Sequence, residues 1–182
     1  MWQVSYILKN LIIAGGKIKN MTHRIVENEI ISQQMTFTSL EVVELIDCKI
    51  TDIEDTALIF TDVKKVVIRN CVFKNLGKVL YFGSPSIVKI SNSLFENCKS
   101  NDNGGIIICS SKSEILLEND TFKNIFNSCW GKYSSAISFA NYVESKHCKF
   151  YDCKSNGNKL FCYGDYSEKD NEYIKCSQIY GE

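Results

Sequence analysis

Val66-Val-Ile-Arg-Asn-Cys-Val-Phe-Lys-Asn75 is the stretch whose reading decides the fold. It recurs as Val88-Lys-Ile-Ser-Asn-Ser-Leu-Phe-Glu-Asn97 and as Ile115-Leu-Leu-Glu-Asn-Asp-Thr-Phe-Lys-Asn124. Divergent copies flank these at Val43–Asp52 and Val143–Asp152. Each copy is a short apolar alternation, a polar turn residue, a second alternation carrying Phe or Ile, then Asn or Asp. Recurrence in register identifies a repeat protein before any other signal is weighed.

Phe73, Phe95, Phe122 and Phe150 follow one another at 22, 27 and 28 residues, and Ile50 precedes Phe73 by 23. That period belongs to solenoids, in which a single turn cannot bury its apolar face and must stack on the next. Leucine-rich repeats share the period but need a Leu-x-x-Leu-x-Leu pattern and a helical return, and this chain has neither. Apolar residues recur every second position, so the elements are strands. A third apolar run lies between the units, at Val79–Phe82, Ile106–Cys109, Ala136–Phe139 and Leu160–Tyr163. The fold expected is all-β: a right-handed parallel β-helix solenoid with three short strands per coil and about 22–28 residues per coil. Val43 and Leu45, Val66 and Ile68, Val88 and Ile90, Ile115 and Leu117, and Val143 and Ser145 should point inward. Glu44, Arg69, Lys89, Ser91, Glu118, Glu144 and Lys146 should face water.

Asn70, Asn92 and Asn119 occupy the tight turn of each unit, because Asn tolerates left-handed backbone angles and bonds to nearby main chain. Stacked asparagines can also bond to one another along the axis as an amide ladder. Phe73, Phe95, Phe122 and Phe150 should form an internal aromatic stack. Both sets read as structural. The regular coils are expected over residues 41–163, with divergent N-terminal coil(s) over 1–40 and a polar C-terminal coil or tail over 164–182. Leu11–Asn20 resembles a divergent coil, and Ile25-Val26 and Ile30-Ile31 supply further candidate strands.

Composition bounds the function. Apolar residues make up 45% and charged residues 23%, as in a globular protein. The 21 basic and 21 acidic side chains cancel, which argues against nucleic acid as a partner. No apolar run is long enough for a transmembrane segment. The N-terminus lacks the basic segment of a secretory signal, and Lys9 interrupts its apolar stretch. Two readings follow: an intracellular protein, or a segment of a longer polypeptide whose leader is missing. The second is favoured because neither end offers an obvious cap.

Nine cysteines suggest a disulfide framework, yet Cys48, Cys71 and Cys148 share one repeat position and Cys98 and Cys153 another. Recurrence at equivalent sites suits small core residues. Cys48 and Cys71 lie one coil apart, within disulfide reach. Cys98 and Cys153 are two coils apart and should not pair directly. No Cys-x-x-Cys and no zinc spacing occurs, so neither metal nor cofactor is expected.

Phe95-Glu-Asn-Cys-Lys-Ser-Asn-Asp-Asn-Gly-Gly105-Ile-Ile-Ile108 resembles the repeats of polymorphic outer-membrane-type proteins, with their Phe-x-x-Asn and Gly-Gly-Ala-Ile motifs. Here one residue separates Phe from Asn, and one of the regular coils carries the Gly-Gly. More broadly, Glu41–Tyr163 resembles the pectate-lyase-like superfamily of right-handed β-helices. The resemblance implies surface exposure and adhesion. For activity it is weak, because this fold hosts lyases, hydrolases, adhesins and stalks.

Polysaccharide-cleaving relatives place charged residues on the strand that the third apolar run represents, and those runs contain none. Glycoside cleavage needs two carboxylates about 5–9.5 Å apart. Asp102 and Asp165, in flanking loops, read as turn residues. His147 replaces a turn Asn, and His23 has no visible partner. The long loop Ile125–Ser135 carries Trp130, Lys132 and Tyr133, a candidate platform for a glycan or protein ligand. Asn20 and Asn119 match the glycosylation acceptor pattern, and only Asn20 lies outside the stacked turns. The expectation is a non-catalytic surface or secreted scaffold for adhesion or glycan or protein binding. The alternatives are a carbohydrate-active enzyme whose active site is degenerate or missing, and a structural spacer.

Overall fold

The protein is described here by a computed structural model. It describes residues 5–9, 12–13, 16–101, 105–109, 112–127, 137–138, 142–155 and 165–178, with side chains over 25–101, 105–109, 112–127, 142–154 and 165–177.

Strand pairing is parallel throughout the described residues, and each strand bonds to its counterpart one coil away. The first sheet runs Ser5–Lys9, Gly16–Glu27, Met35–Ile46, Leu58–Arg69, Ile87–Ser91, Glu114–Glu118, Tyr142–Lys146, Asp165–Lys169. The second runs Ile12–Ile13, Ile30–Ile31, Lys49–Ile53, Val72–Leu76, Leu94–Glu96, Thr121–Lys123, Lys149–Tyr151, Glu172–Ile174. A third joins Lys99–Ser100, Phe126–Asn127, Lys154–Ser155 and Ser177–Gln178. Non-consecutive strands thus neighbour one another along every sheet, which is the topology of a parallel β-solenoid.

The third apolar run has a place that spacing did not reveal. Leu80–Phe82 and Ile107–Cys109 are bonded into the first sheet, in line with the strands that follow them. In the earlier coils the two pieces are one continuous strand of 12 residues, as in Leu58–Arg69. The strands continue beyond the regular repeats. Ile25-Val26 falls within Gly16–Glu27, Ile30-Ile31 forms its own strand, and Asp165–Lys169 pairs in register with Tyr142–Lys146.

Register puts like on like. Val43, Val66, Val88, Ile115 and Val143 form one inward column, and Leu45, Ile68, Ile90, Leu117 and Ser145 another; all are buried. Strand spacing of about 4.8 Å also sets the aromatic stack. Phe73, Phe95, Phe122 and Phe150 stack face to face at 4.7, 4.7 and 4.9 Å, and Tyr173 extends the column at 4.9 Å. A second stack, Phe37–Phe60–Phe82, stands at 5.1 and 5.0 Å under the first sheet. Its members are 23 and 22 residues apart, a signal that the sequence offered and that the emphasis on the other Phe column hid.

Two corners per coil turn the chain. At the first, Asn28, Asp47, Asn70, Asn92, Asn119, His147 and Asp170 are left-handed; at the second, Asp52, Asn75, Asn97, Asn124, Asp152 and Lys175 are, all with φ between 50° and 60°. Asn and Asp dominate because their short polar side chains tolerate this conformation.

Removing one ring from a continuous stack loses its burial and both face contacts. Phe95→Ala should destabilise the fold by roughly 3–5 kcal/mol, read from the midpoint of denaturant unfolding. A loss below about 1 kcal/mol would contradict a close-packed stack.

Candidate functional site

The second corner carries a bonded amide ladder. Asn75 Nδ2 donates to Asp52 Oδ1 at 2.8 Å, Asn97 Nδ2 to Asn75 Oδ1 at 3.3 Å, and Asn124 Nδ2 to Asn97 Oδ1 at 2.8 Å. The ladder expected along Asn70, Asn92 and Asn119 is bonded, among the described residues, only where Asn70 Nδ2 donates to Asp47 Oδ1 at 3.1 Å. Both corners share one backbone conformation, so side-chain rotamers decide which column bonds. Thr51 and Asn75 donate to Asp52 and hold its carboxyl below the usual range.

Beside the ladder the surface is concave. A recess of about 530 Å³ is lined by Glu54, Leu76, Gly77, Lys99 and the amides of Asn75, Asn97 and Asn124. An adjoining one of about 290 Å³ shares Glu54, Gly77 and Lys99 and adds Asp55, Lys78, Ser100, Asn101 and Phe126. Gly77 closes the floor between coils. Its N–H donates to Ile53 O at 2.9 Å, and a Cβ there would stand 2.1 Å from Glu54 O. Only glycine permits that approach.

The groove's chemistry is that of hydroxyl recognition. A carboxamide has two N–H donors and an oxygen with two lone pairs. Within the ladder Asn75 and Asn97 each use one donor and one lone pair. Each therefore keeps one donor and one lone pair beyond the ladder, and both residues line the recess. Lys78 and Lys99 add cations, Glu54 and Asp55 add anions, and Phe126 adds an apolar wall. Asp55 Oδ1 accepts the Thr56 N–H at 2.7 Å.

A buried polar column runs behind the first corner. Glu29, Cys48, Cys71, Ser93, Asp120, Cys148 and Asn171 follow one another, linked by bonds such as Val72 N–H to Cys48 O and Thr121 N–H to Ser93 O. Its logic lies in the backbone. Ser93 Oγ accepts the Cys71 N–H, Asp120 Oδ1 the Ser93 N–H, and Asn171 Oδ1 the Cys148 N–H, each at 2.8–3.2 Å. A corner N–H outside the sheet ladder must be satisfied, so the coil above supplies an acceptor. The cysteines of the column donate instead, Cys48 Sγ to Val26 O and Cys71 Sγ to Arg69 O, each at 3.3 Å. Its neighbour Cys48 and burial push the Cys71 thiol far above its ordinary value. Glu29 is buried, with neither carboxyl oxygen hydrogen-bonded. No group of three or more His, Cys, Asp or Glu able to hold a metal occurs among the described residues.

The other expected site residues are placed as follows. Trp130, Lys132, Tyr133, Asp102 and the run Leu160–Tyr163 lie outside the described residues. Asp165 is exposed at the start of a strand. His147 occupies its corner with Nδ1 3.8 Å from Asp170 Oδ2. His23 and Asn20 lie in the strand Gly16–Glu27. On the described part of the third run the side chains are apolar or hydroxyl-bearing, as with Tyr81 and Ile108. The sequence reading missed the groove, although three asparagines at the same repeat position were its signal.

Fold and corner groove together define a parallel β-solenoid. Residues 31–178 match the family described as a right handed beta helix region, and the chain belongs to that family. No curated protein and no solved structure matches the chain. No helix among the described residues is long and apolar enough to cross a membrane.

Two expected outcomes follow from this geometry. Gly77→Ala should cost more than about 1 kcal/mol, measured by denaturant unfolding, because the clash is with backbone that cannot rotate away. Unchanged stability would contradict the close approach of Gly77 to Glu54 O. The second concerns Asp120, whose carboxyl burial pushes up to about 7 against the Ser93 and Glu118 N–H groups that draw it down. In the unfolded chain Asp titrates near 3.9. Below that pH both states hold the proton. Between about 4 and about 7 the unfolded state sheds it first, so stability falls as pH rises across that window and levels off above it, by something on the order of 4 kcal/mol. Asp120→Ser, which copies Ser93 one coil below, should remove this fall when unfolding is compared at pH 5 and pH 8. An identical pH dependence in both proteins would refute the assignment.

Proposed function

We propose that the chain is a non-catalytic binding scaffold whose second-corner groove takes an extended glycan. The carrying observation is the row of ladder amides at the coil spacing, Asn75 and Asn97 each keeping a donor and an acceptor beyond the ladder, on a groove flanked by Lys78, Lys99, Glu54 and Asp55. A sugar hydroxyl both donates and accepts, so a repeated donor–acceptor pair suits a repeated hydroxyl. Ladder bonds and left-handed corners hold these amides before any ligand arrives, which lowers the ordering cost of binding. Location at a surface or in a secretion, and function in adhesion, remain part of the proposal and rest on the resemblance to surface β-helices. So does a place in a longer polypeptide.

The test is a binding screen against neutral and acidic oligosaccharides. Lys99→Ala and Glu54→Gln should each weaken the best ligand by about tenfold or more, ~1.4 kcal/mol, without lowering the melting temperature. Trp130→Ala is the control for the long loop carrying Trp130, Lys132 and Tyr133. Loss there and not at Lys99 would move the site to that loop. Turnover of a bound oligosaccharide would instead establish a carbohydrate-active enzyme. Failure to bind any glycan would leave a protein ligand or a spacer.

A further inference from the structure

Inward position three of the coil, just past the second corner, holds Cys98, Ile125, Cys153 and Cys176 in successive coils. The column is joined by the bonds Phe126 N–H to Cys98 O, Lys154 N–H to Ile125 O and Ser177 N–H to Cys153 O, each 2.8–3.0 Å. Ile125 separates Cys98 from Cys153, whereas nothing separates Cys153 from Cys176. Their flanking strands pair Lys154 with Ser177 in register. In-register neighbours lie about 4.8 Å apart, inside the Cα separation of about 4.4–6.8 Å that disulfides occupy. Both thiols point the same way down the column, Cys153 Sγ to Phe122 O at 3.5 Å and Cys176 Sγ to Phe150 O at 3.3 Å.

Cys48 and Cys71 have the same one-coil relation but are both buried. Cys176 alone among the free cysteines of the described residues is partly exposed, so a soluble oxidant can reach it. Every residue of Asp165–Lys169 and Glu172–Ile174 is exposed, including Tyr166 at 51% and Tyr173 at 40%. Backbone bonds, the Phe150–Tyr173 stack, the Asn171 contacts and polar contacts such as Tyr151 to Glu172 hold this coil to the body.

We propose that Cys153 and Cys176 are a redox-closed clamp that fastens the coil of residues 165–178 to the coil below it. The oxidant is a low-molecular-weight disulfide such as oxidised glutathione. The Cys176 thiolate attacks one of its sulfurs, forming a mixed disulfide and expelling one thiolate. Cys153, on losing its proton, then attacks Cys176 Sγ, forms the protein disulfide and expels the second thiolate. The protons of the two protein thiols end on the two released thiols. Burial, together with the neighbouring Cys176, pushes the Cys153 thiol up to about 12, so this second step is the slow one.

The whole chain is incubated with oxidised and reduced glutathione, alkylated, and digested with trypsin, which releases Phe150–Lys154 separately from the peptide that begins at Cys176. The expected result is a cross-link between these two peptides that dithiothreitol reverses. Amide hydrogen exchange over 165–178 should then slow by tenfold or more while the coils below are unchanged. In Cys153→Ser, Cys176 should instead stop at the glutathione adduct, and in Cys176→Ser neither species should form. A stable adduct in the unsubstituted protein, a cross-link from Cys176 to any other cysteine, or unchanged exchange after cross-linking would overturn the proposal.

Discussion

Parallel pairing in strict register between one coil and the next is the constraint on which the rest of this molecule depends. It repeats every side chain at about 4.8 Å, so each repeat position becomes a column and each column must tolerate its own kind. Flat rings and carboxamides gain from such stacking, which is why Phe and Asn recur. Like charges lose by it, and one outward column of the second sheet alternates sign accordingly. Lys74, Glu96 and Lys123 follow one another with ion pairs of 2.9 Å on either side of Glu96, and Arg69 meets Glu44 at 2.8 Å. Their cations are exposed and their carboxylates partly buried, and surface pairs of this kind add little stability. Their role is to make the register acceptable.

The same constraint explains why the interior is not uniformly apolar. A corner takes one backbone N–H out of the sheet ladder in each coil, inside the solenoid and away from water. Ser93, Asp120 and Asn171 behind the first corner each serve it for the coil below. Asp120 does so at a cost, because a buried carboxyl resists ionisation, whereas Ser93 makes the equivalent bond with no charge to bury. The chain therefore uses interchangeable acceptors of unequal quality at one structural position.

The proposed binding site lies at the second corner. On the first sheet the described third run is largely apolar. The second corner differs because the coil recedes there around Gly77 and the ladder amides stand at its rim. Since the fold itself hosts many activities, this local relief and its polar lining carry the functional argument, with the family supplying architecture alone.

Much of this was legible in the residues themselves. Period-two alternation, a 22–28 residue repeat and Asn at fixed offsets determined a parallel solenoid, its inward columns and its Phe stack, because these depend on local chemistry repeated in register. Other features needed the folded chain. The third apolar run joins the first sheet because coil closure, rather than its own alternation, aligns it with Leu58–Arg69. Whether the amides of Asn75 and Asn97 or those of Asn92 and Asn119 bond was decided by rotamers that identical backbone corners leave open. The groove exists only where Glu54, Lys99 and Asn124, 70 residues apart at the extremes, meet across stacked coils. Sequence order determined what repeats; tertiary closure alone decided what meets.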